Sequence, residues 1–283
     1  FRYYIGGVIK SAWLNSIQPA TVAYGISKKY IKFSEAQWIR AAKIHFLKQG
    51  RYKELNDALK IGYEEGDIRQ NLVVMLRGEQ YGGKKLGKFD KFISIFFKAA
   101  EESNRQLSYI WGFDAAFRGL VKNADGSKMN FEQAVKFAKV FNREVNYEYS
   151  KADRPEMTRG RISPIFTFRM FPGNYLSSLK NLIKVAVGKT AKEIKAGNVV
   201  GALRSLNENE YHALITSVGM MMIFGGVTAI PGFMELKKAL ELAGYDPIMW
   251  TKEKMAKYGD LFNHGVLFPL GQDISGALTT IAV

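Results

Sequence analysis

Residues 89–121, FDKFISIFFKAAEESNRQLSYIWGFDAAFRGLV, place apolar side chains at Phe92, Ile95, Phe96, Ala99, Ala100, Leu107, Ile110, Trp111 and Phe117. Steps of three and four residues are the period of an α-helix, and so broad an apolar face needs packing partners on more than one side. The run therefore predicts a long central helix with other helices gathered around it. Glu101 and Arg105 stand four apart and can pair along that helix. No run of useful length alternates with the strand period anywhere in the chain. The expected fold is all-α: a multi-helix orthogonal bundle with long central helices and few or no strands.

The flanking segments carry ordinary helix punctuation. Ser34 is a good N-cap with Gln37 three residues on, as in a capping box, and Trp38, Ile39, Ala42 and Phe46 keep helical spacing up to Gly50. Residues 52–63 and 67–80 read as two further short helices, with Gly62, Gly66 and Gly78 as punctuation. The link YGGKKLGKF at 81–89 is the best internal boundary, so an N-terminal arm with helical hairpins is expected over 1–88 and a second helical domain over 89–283. Lys85 is followed by Leu86 rather than Ser or Thr, which removes the phosphate-loop reading of that link. Residues 123–128, NADGSK, form a turn, and Asn130 caps the helix that follows. Residues 1–33 are apolar and aromatic, with a break at 15–19, and read as a core-docking arm or a membrane-seeking one.

Residues 213–234, ALITSVGMMMIFGGVTAIPGFM, hold 22 positions without a charged side chain. About 20 apolar residues can span a bilayer, but Gly225, Gly226 and then Pro231-Gly232 interrupt the run. The unbroken helical portion covers about residues 210–224. Two readings follow: a buried helix ending in a tight turn, or a segment that meets a membrane in some state through Met220, Met221, Met222, Ile223 and Phe224.

Charge narrows the partners. Lys and Arg outnumber Asp and Glu by 25 to 15 over residues 1–150 and by 11 to 3 over 151–204, whereas over 205–283 acids lead by 8 to 5. The net charge is +15. Such a balance favours nucleic acid or anionic lipid. The chain has no cysteine, which excludes disulfides, thiolate metal sites and a cysteine nucleophile. His45, His212 and His264 are too far apart for familiar metal-ligand spacings and read as surface or packing residues. Neither a metal nor a cofactor is implied. The opening FRYYIGGVIK lacks the leader and cleavage site of a secretory signal, and the absence of an initiating Met suggests a piece of a longer chain.

The densest basic stretch is also the main candidate contact surface. Arg154, Arg159, Arg161 and Arg169 interleave with Phe166, Phe168, Phe171 and Tyr175, and Lys180, Lys184, Lys189, Lys192 and Lys195 follow at steps of three to five. Cations can hold phosphates while aromatics between them stack on exposed bases. The competing reading makes the aromatics core and the lysines a solvated helix face. Near the C-terminus, Asp273 and Ser275 lack the Gly-x-Ser-x-Gly spacing of a hydrolase, and Asp273 reads as a helix cap. No paired-carboxylate site is evident, so no catalytic residue is assigned.

Several of these residues, taken in order, carry a resemblance. EESNRQLSYIWGF, NFEQAVKFAKVFNREVNYEYSKADRP and ISPIFTFRMFPGNYLSSL resemble the C-terminal all-helical domain associated with the large polyvalent proteins of phages and mobile elements. The matching positions are Glu101, Glu102 and Arg105; Arg154 and Pro155; Arg159 and Gly160; and Phe166, Thr167, Phe168 and Arg169. Gly225, Gly226, Pro231 and Gly232 resemble that family's Gly-Gly, Pro-Gly turn, and Gly271, Asp273 and Ser275 its closing motif. Arg169 stands where Lys is expected, and residues 34–90 fit poorly. The likeness covers about residues 95–283.

What this resemblance implies is a protein packaged in the virion interior and delivered with the DNA into the host envelope or cytoplasm. Its partners would be portal, tail or other internal virion proteins in an oligomeric assembly, with packaged DNA and the host membrane as further contacts. The residues leave two expectations of different class: an internal virion protein of a tailed phage that helps the genome cross the envelope, or a non-enzymatic helical scaffold at the end of a longer packaged polypeptide.

Overall fold

The computed structural model describes residues 16, 19–69, 88–146, 163–206, 208–230, 233–242, 244–255, 258–266 and 268. Helix accounts for 77% of them, and no strand forms among the described residues, so the fold is all-α. The eleven described α-helices are α1 (Tyr24–Ser27), α2 (Glu35–Leu47), α3 (Lys53–Glu64), α4 (Lys88–Phe117), α5 (Phe131–Asn146), α6 (Ser163–Lys195), α7 (Val199–Ser205), α8 (Asn209–Gly225), α9 (Phe233–Leu242), α10 (Pro247–Met255) and α11 (Gly259–His264). A π-helical turn, Pro19–Ala23, leads into α1, and a 3-10 turn, Val227–Ala229, follows α8.

The chain divides into two compact units, Phe1–Phe168 and Arg169–Val283. The helices on either side of the 81–89 link, α2 and α3 before it and α4 after it, share the core of the first unit. Most of the link lies outside the described residues.

In the first unit α4 is the central element, as its broad apolar face demands. Trp111, Tyr109, Phe113 and Ile110 on α4 are fully buried together with Phe141 on α5, Ile44 on α2 and Leu55 on α3. The α4–α5 crossing is close because Gly112 has no side chain; a Cβ there would come to 3.0 Å from the Ala138 Cα. Trp111 lies between two helices, its ring centroid 4.4 Å from Phe141 and 5.6 Å from the stacked Trp38. Offset aromatic pairs of this kind add about 1 kcal/mol each beyond the area they bury. The turn before α2 joins the same core through Tyr30, whose edge meets Phe137 and Phe141.

Two local expectations change in three dimensions. Ser34 has φ −96° and ψ 3° and makes no side-chain cap to α2. Its hydroxyl is 2.9 Å from that of Ser27, and the Gln37 amide donates across to Asp114. The capping box forms instead at α5, where Asn130 Oδ1 accepts from the Gln133 amide and Gln133 Oε1 accepts from the Asn130 amide, both at 2.9 Å. Asp67, expected to open a helix, sits in a bend with its carboxylate almost fully buried against Arg143 at 3.0 Å. The remainder of that expected helix, 70–80, lies outside the described residues.

The second unit holds most of α6 together with α7 to α11. α6 and α7 are tied by Thr190 Oγ1 and Ser205 Oγ, 2.7 Å apart, beside the buried Ala186 and Ala202. α8, which carries the uncharged run from Ala213 onward, ends at Gly225 and packs on α11.

Candidate functional site

On α6 the lysines are not equivalent. At about 100° per residue, Lys180, Lys184 and Lys195 fall within about 60° of one another, Lys192 lies about 60° beyond, and Lys189 is on the far side. Leu179, Leu182 and Ala186 occupy the buried face, roughly opposite the first three. Lys189 flanks that buried face, where it meets Glu208 at 2.5 Å and Glu210 at 3.1 Å. These carboxylates, Glu208 first, raise its ammonium above the ordinary lysine value. Four of the five lysines thus form a solvent-facing basic strip, and the fifth is neutralised within the unit. Ile183, Val187 and Ile194 are exposed beside the strip, and Val199, Val200 and Leu203 continue the exposed apolar surface onto α7.

Of the other basic and aromatic candidates, Arg154, Arg159 and Arg161 lie outside the described residues, as do Pro155 and Gly160. Phe166, Phe168 and Arg169 fall within α6, which continues unbroken through them.

The uncharged stretch folds as a helical corner. Met221 is fully buried, Met220, Met222 and Phe224 are half-buried, and Ile215 and Ile223 are exposed. No described helix is long and apolar enough to cross a membrane. Gly226 has φ +69°, and a Cβ on it would fall 2.2 Å from the Asn263 carbonyl carbon. Gly265, with φ +83°, would clash in the same way with the Phe224 carbonyl oxygen at 2.3 Å. The two backbones therefore interlock at a distance that only glycine allows. The Val266 amide donates to Ile223 O at 2.8 Å and Thr228 Oγ1 donates to Asn263 O at 2.6 Å. Asn263, fully buried, also accepts from Thr251 Oγ1 at 2.9 Å. Pro231, Gly232, Gly271, Asp273 and Ser275 lie outside the described residues.

Glu101 and Arg105 pair as their spacing predicts, at 3.2 Å, but both are buried within the unit. Burial pushes the Glu101 carboxyl up against the pull of the guanidinium. A buried pair of this sort adds little net stability, because desolvation offsets much of the attraction.

A buried, multiply bonded polar group of the first unit, Asp114, went unassigned from the sequence. Its carboxylate is fully buried and accepts from Gln37 Nε2 at 2.9 Å, Arg40 Nε at 2.8 Å and Tyr52 Oη at 3.0 Å, with Arg118 at 3.6 Å. Burial, then the charge of Asp114, pushes the Tyr52 hydroxyl well above its usual value, so it stays a donor. The available signal was an acid inside WGFDAAF, an otherwise apolar helical window. His45 is buried with Nε2 2.9 Å from Ser103 Oγ, and burial, aided by Lys48 and Arg51, lowers its pKa to about 4. Among the described residues no three His, Asp or Glu side chains gather in an arrangement that could hold a metal.

Compared with models of protein families, with curated proteins and with solved structures, the chain matches none.

Proposed function

We propose that this chain is an internal virion protein of a tailed phage, packaged in the particle and ejected with the genome, where it helps DNA cross the host envelope. The observation that carries the reading is the solvent face of α6, on which Lys180, Lys184, Lys192 and Lys195 run beside exposed Ile183, Val187 and Ile194. A basic strip bordered by apolar side chains suits anionic polymers and lipid headgroups, because the charges engage phosphate while the apolar strip leaves water. The ordered sequence landmarks and the +15 net charge support the same reading. Its partners are portal, tail or other internal virion proteins in an oligomeric assembly, with packaged DNA and the host membrane as contacts. Two of the landmarks, the Glu101–Arg105 pair and the Gly225-Gly226 turn, serve packing, as they would in a non-enzymatic module.

Purified particles and flotation on anionic vesicles test this. The protein is expected in particles and bound to vesicles in a salt-sensitive manner. Its absence from particles would remove the virion role, and failure to float at any pH or lipid composition would remove the membrane contact.

A second reading, a helical scaffold or anchor within a longer packaged polypeptide, is favoured by the burial of Met221 and the half-burial of its neighbours. It predicts assembly with other virion proteins without binding to DNA even at low salt.

A further inference from the structure

A shallow concavity of about 340 Å³ opens on the first unit, lined by Ala36, Ile39, Arg40, Lys43, Gln49, Gly50 and Arg118. Ala36, Ile39, Arg40 and Lys43 share one face of α2 by helical spacing, and Arg118 follows the end of α4. Three cations thus converge from two helices that are distant in sequence. None of the lining residues is acidic.

The anion beneath them is Asp114, and it is already saturated. Its buried carboxylate accepts from Gln37 and Tyr52 as well as from Arg40, whose Nε lies 2.8 Å and Nη2 3.4 Å away. This side-on pairing leaves the outer edge of the Arg40 guanidinium for another acceptor, with Nη1 lying over Gly50, 3.8 Å from where a Cβ would stand. Gly50, at φ +75°, lets the chain turn there without adding a side chain. Arg118 reaches Asp114 only at 3.6 Å and keeps its side chain about half exposed. Lys43 is exposed, one turn along α2 from Arg40. The arginines are oriented by a buried carboxylate they outnumber, which is how a protein prepares guanidinium groups for phosphate.

We propose that this concavity binds the phosphodiester backbone of nucleic acid, Arg40, Lys43 and Arg118 contacting phosphates and Gln49 lying at hydrogen-bonding range of the sugar-phosphate chain. Its openness suits a polymer laid across it better than a small enclosed phosphate. The exposed Ile39 at its edge offers an apolar surface to a sugar or base. The choice of nucleic acid rests on the reading of the chain as one that travels with packaged DNA; the anion-binding geometry does not.

The test uses the 283-residue chain with Lys43→Gln and Arg118→Gln combined, which lowers the net charge by two, as the control does; both side chains are exposed and neither is packed in the core. Lys136→Glu, exposed on α5 away from the concavity, controls for net charge. Binding of a fluorescent single-stranded and a double-stranded oligonucleotide is measured by anisotropy over a salt series. The double variant is expected to lose at least about tenfold in affinity and to lower the salt slope by about 2, with the control within about threefold of the parent chain. Equal losses in the double variant and the control, or an unchanged slope, would overturn the proposal. Loss of binding to phosphatidylglycerol vesicles without any change on DNA would overturn it in favour of a lipid headgroup. DNA binding that survives the substitutions removes this site but leaves the virion reading intact, whereas absence from particles removes that reading and leaves the measured site.

Discussion

Arg40 and Asp114 lie 74 residues apart in the chain, yet the Arg40 Nε donates to the Asp114 carboxylate at 2.8 Å, the aspartate side chain being wholly buried and the arginine side chain about a third exposed. The pair joins α2 to α4, and Tyr52 and Gln37 complete the shell from α3's approach and from α2. Removing the acid strands several donors at once. Asp114→Ala is expected to destabilise the first unit by about 3–5 kcal/mol in urea unfolding. Arg118→Ala, at the exposed end of the same cluster, should cost no more than about 1 kcal/mol.

The interlock of Gly226 with Gly265 predicts a sharp contrast among glycines of positive φ. Gly226→Ala and Gly265→Ala each combine left-handed strain with a backbone clash and should cost about 3–5 kcal/mol. Hydrogen exchange should speed up in α8 and α11 while α4 and α5 keep their protection. Gly66→Ala and Gly244→Ala meet nothing within 4 Å. They should cost only the conformational penalty of about 1–2 kcal/mol.

His45 supplies a pH dependence of known sign. Its folded pKa of about 4 lies below the ordinary 6.5, so the unfolded chain takes up the proton first. Its stabilising contribution is complete above pH 6.5 and is lost as pH falls towards 4. The loss should reach up to about 3 kcal/mol at the acidic end. The difference in stability between the parent chain and His45→Gln, followed from pH 7.5 to 4, should show that loss; a flat difference would count against a buried neutral imidazole.

The α6 lysines should separate by role. Lys184→Glu with Lys195→Glu should weaken vesicle binding and its salt dependence, because both face solvent on the basic strip. Lys189→Gln should leave vesicle binding within about twofold and cost at most about 1 kcal/mol of stability, since its charge is already spent on Glu208 and Glu210. Flotation and thermal unfolding of the same variants distinguish the two outcomes.

Helix type and the central place of the 89–121 run follow from the sequence alone, because apolar spacing at three and four residues states which face must leave water before any partner is known; that the helix stops at Phe117 does not. The i,i+4 pair at Glu101–Arg105, the cap at Asn130 and the break at Gly225-Gly226 were legible for the same reason: each depends on neighbours within one or two turns. Only the tertiary structure decided how those pieces are used. It buried Glu101 and Arg105, diverted Ser34 and Gln37 from capping to long-range contacts, neutralised Lys189, and made Asp114 the anchor of three segments. Those outcomes depend on groups tens of residues away, and a side chain's burial, charge balance and exposed edge are set by whatever the fold brings against it.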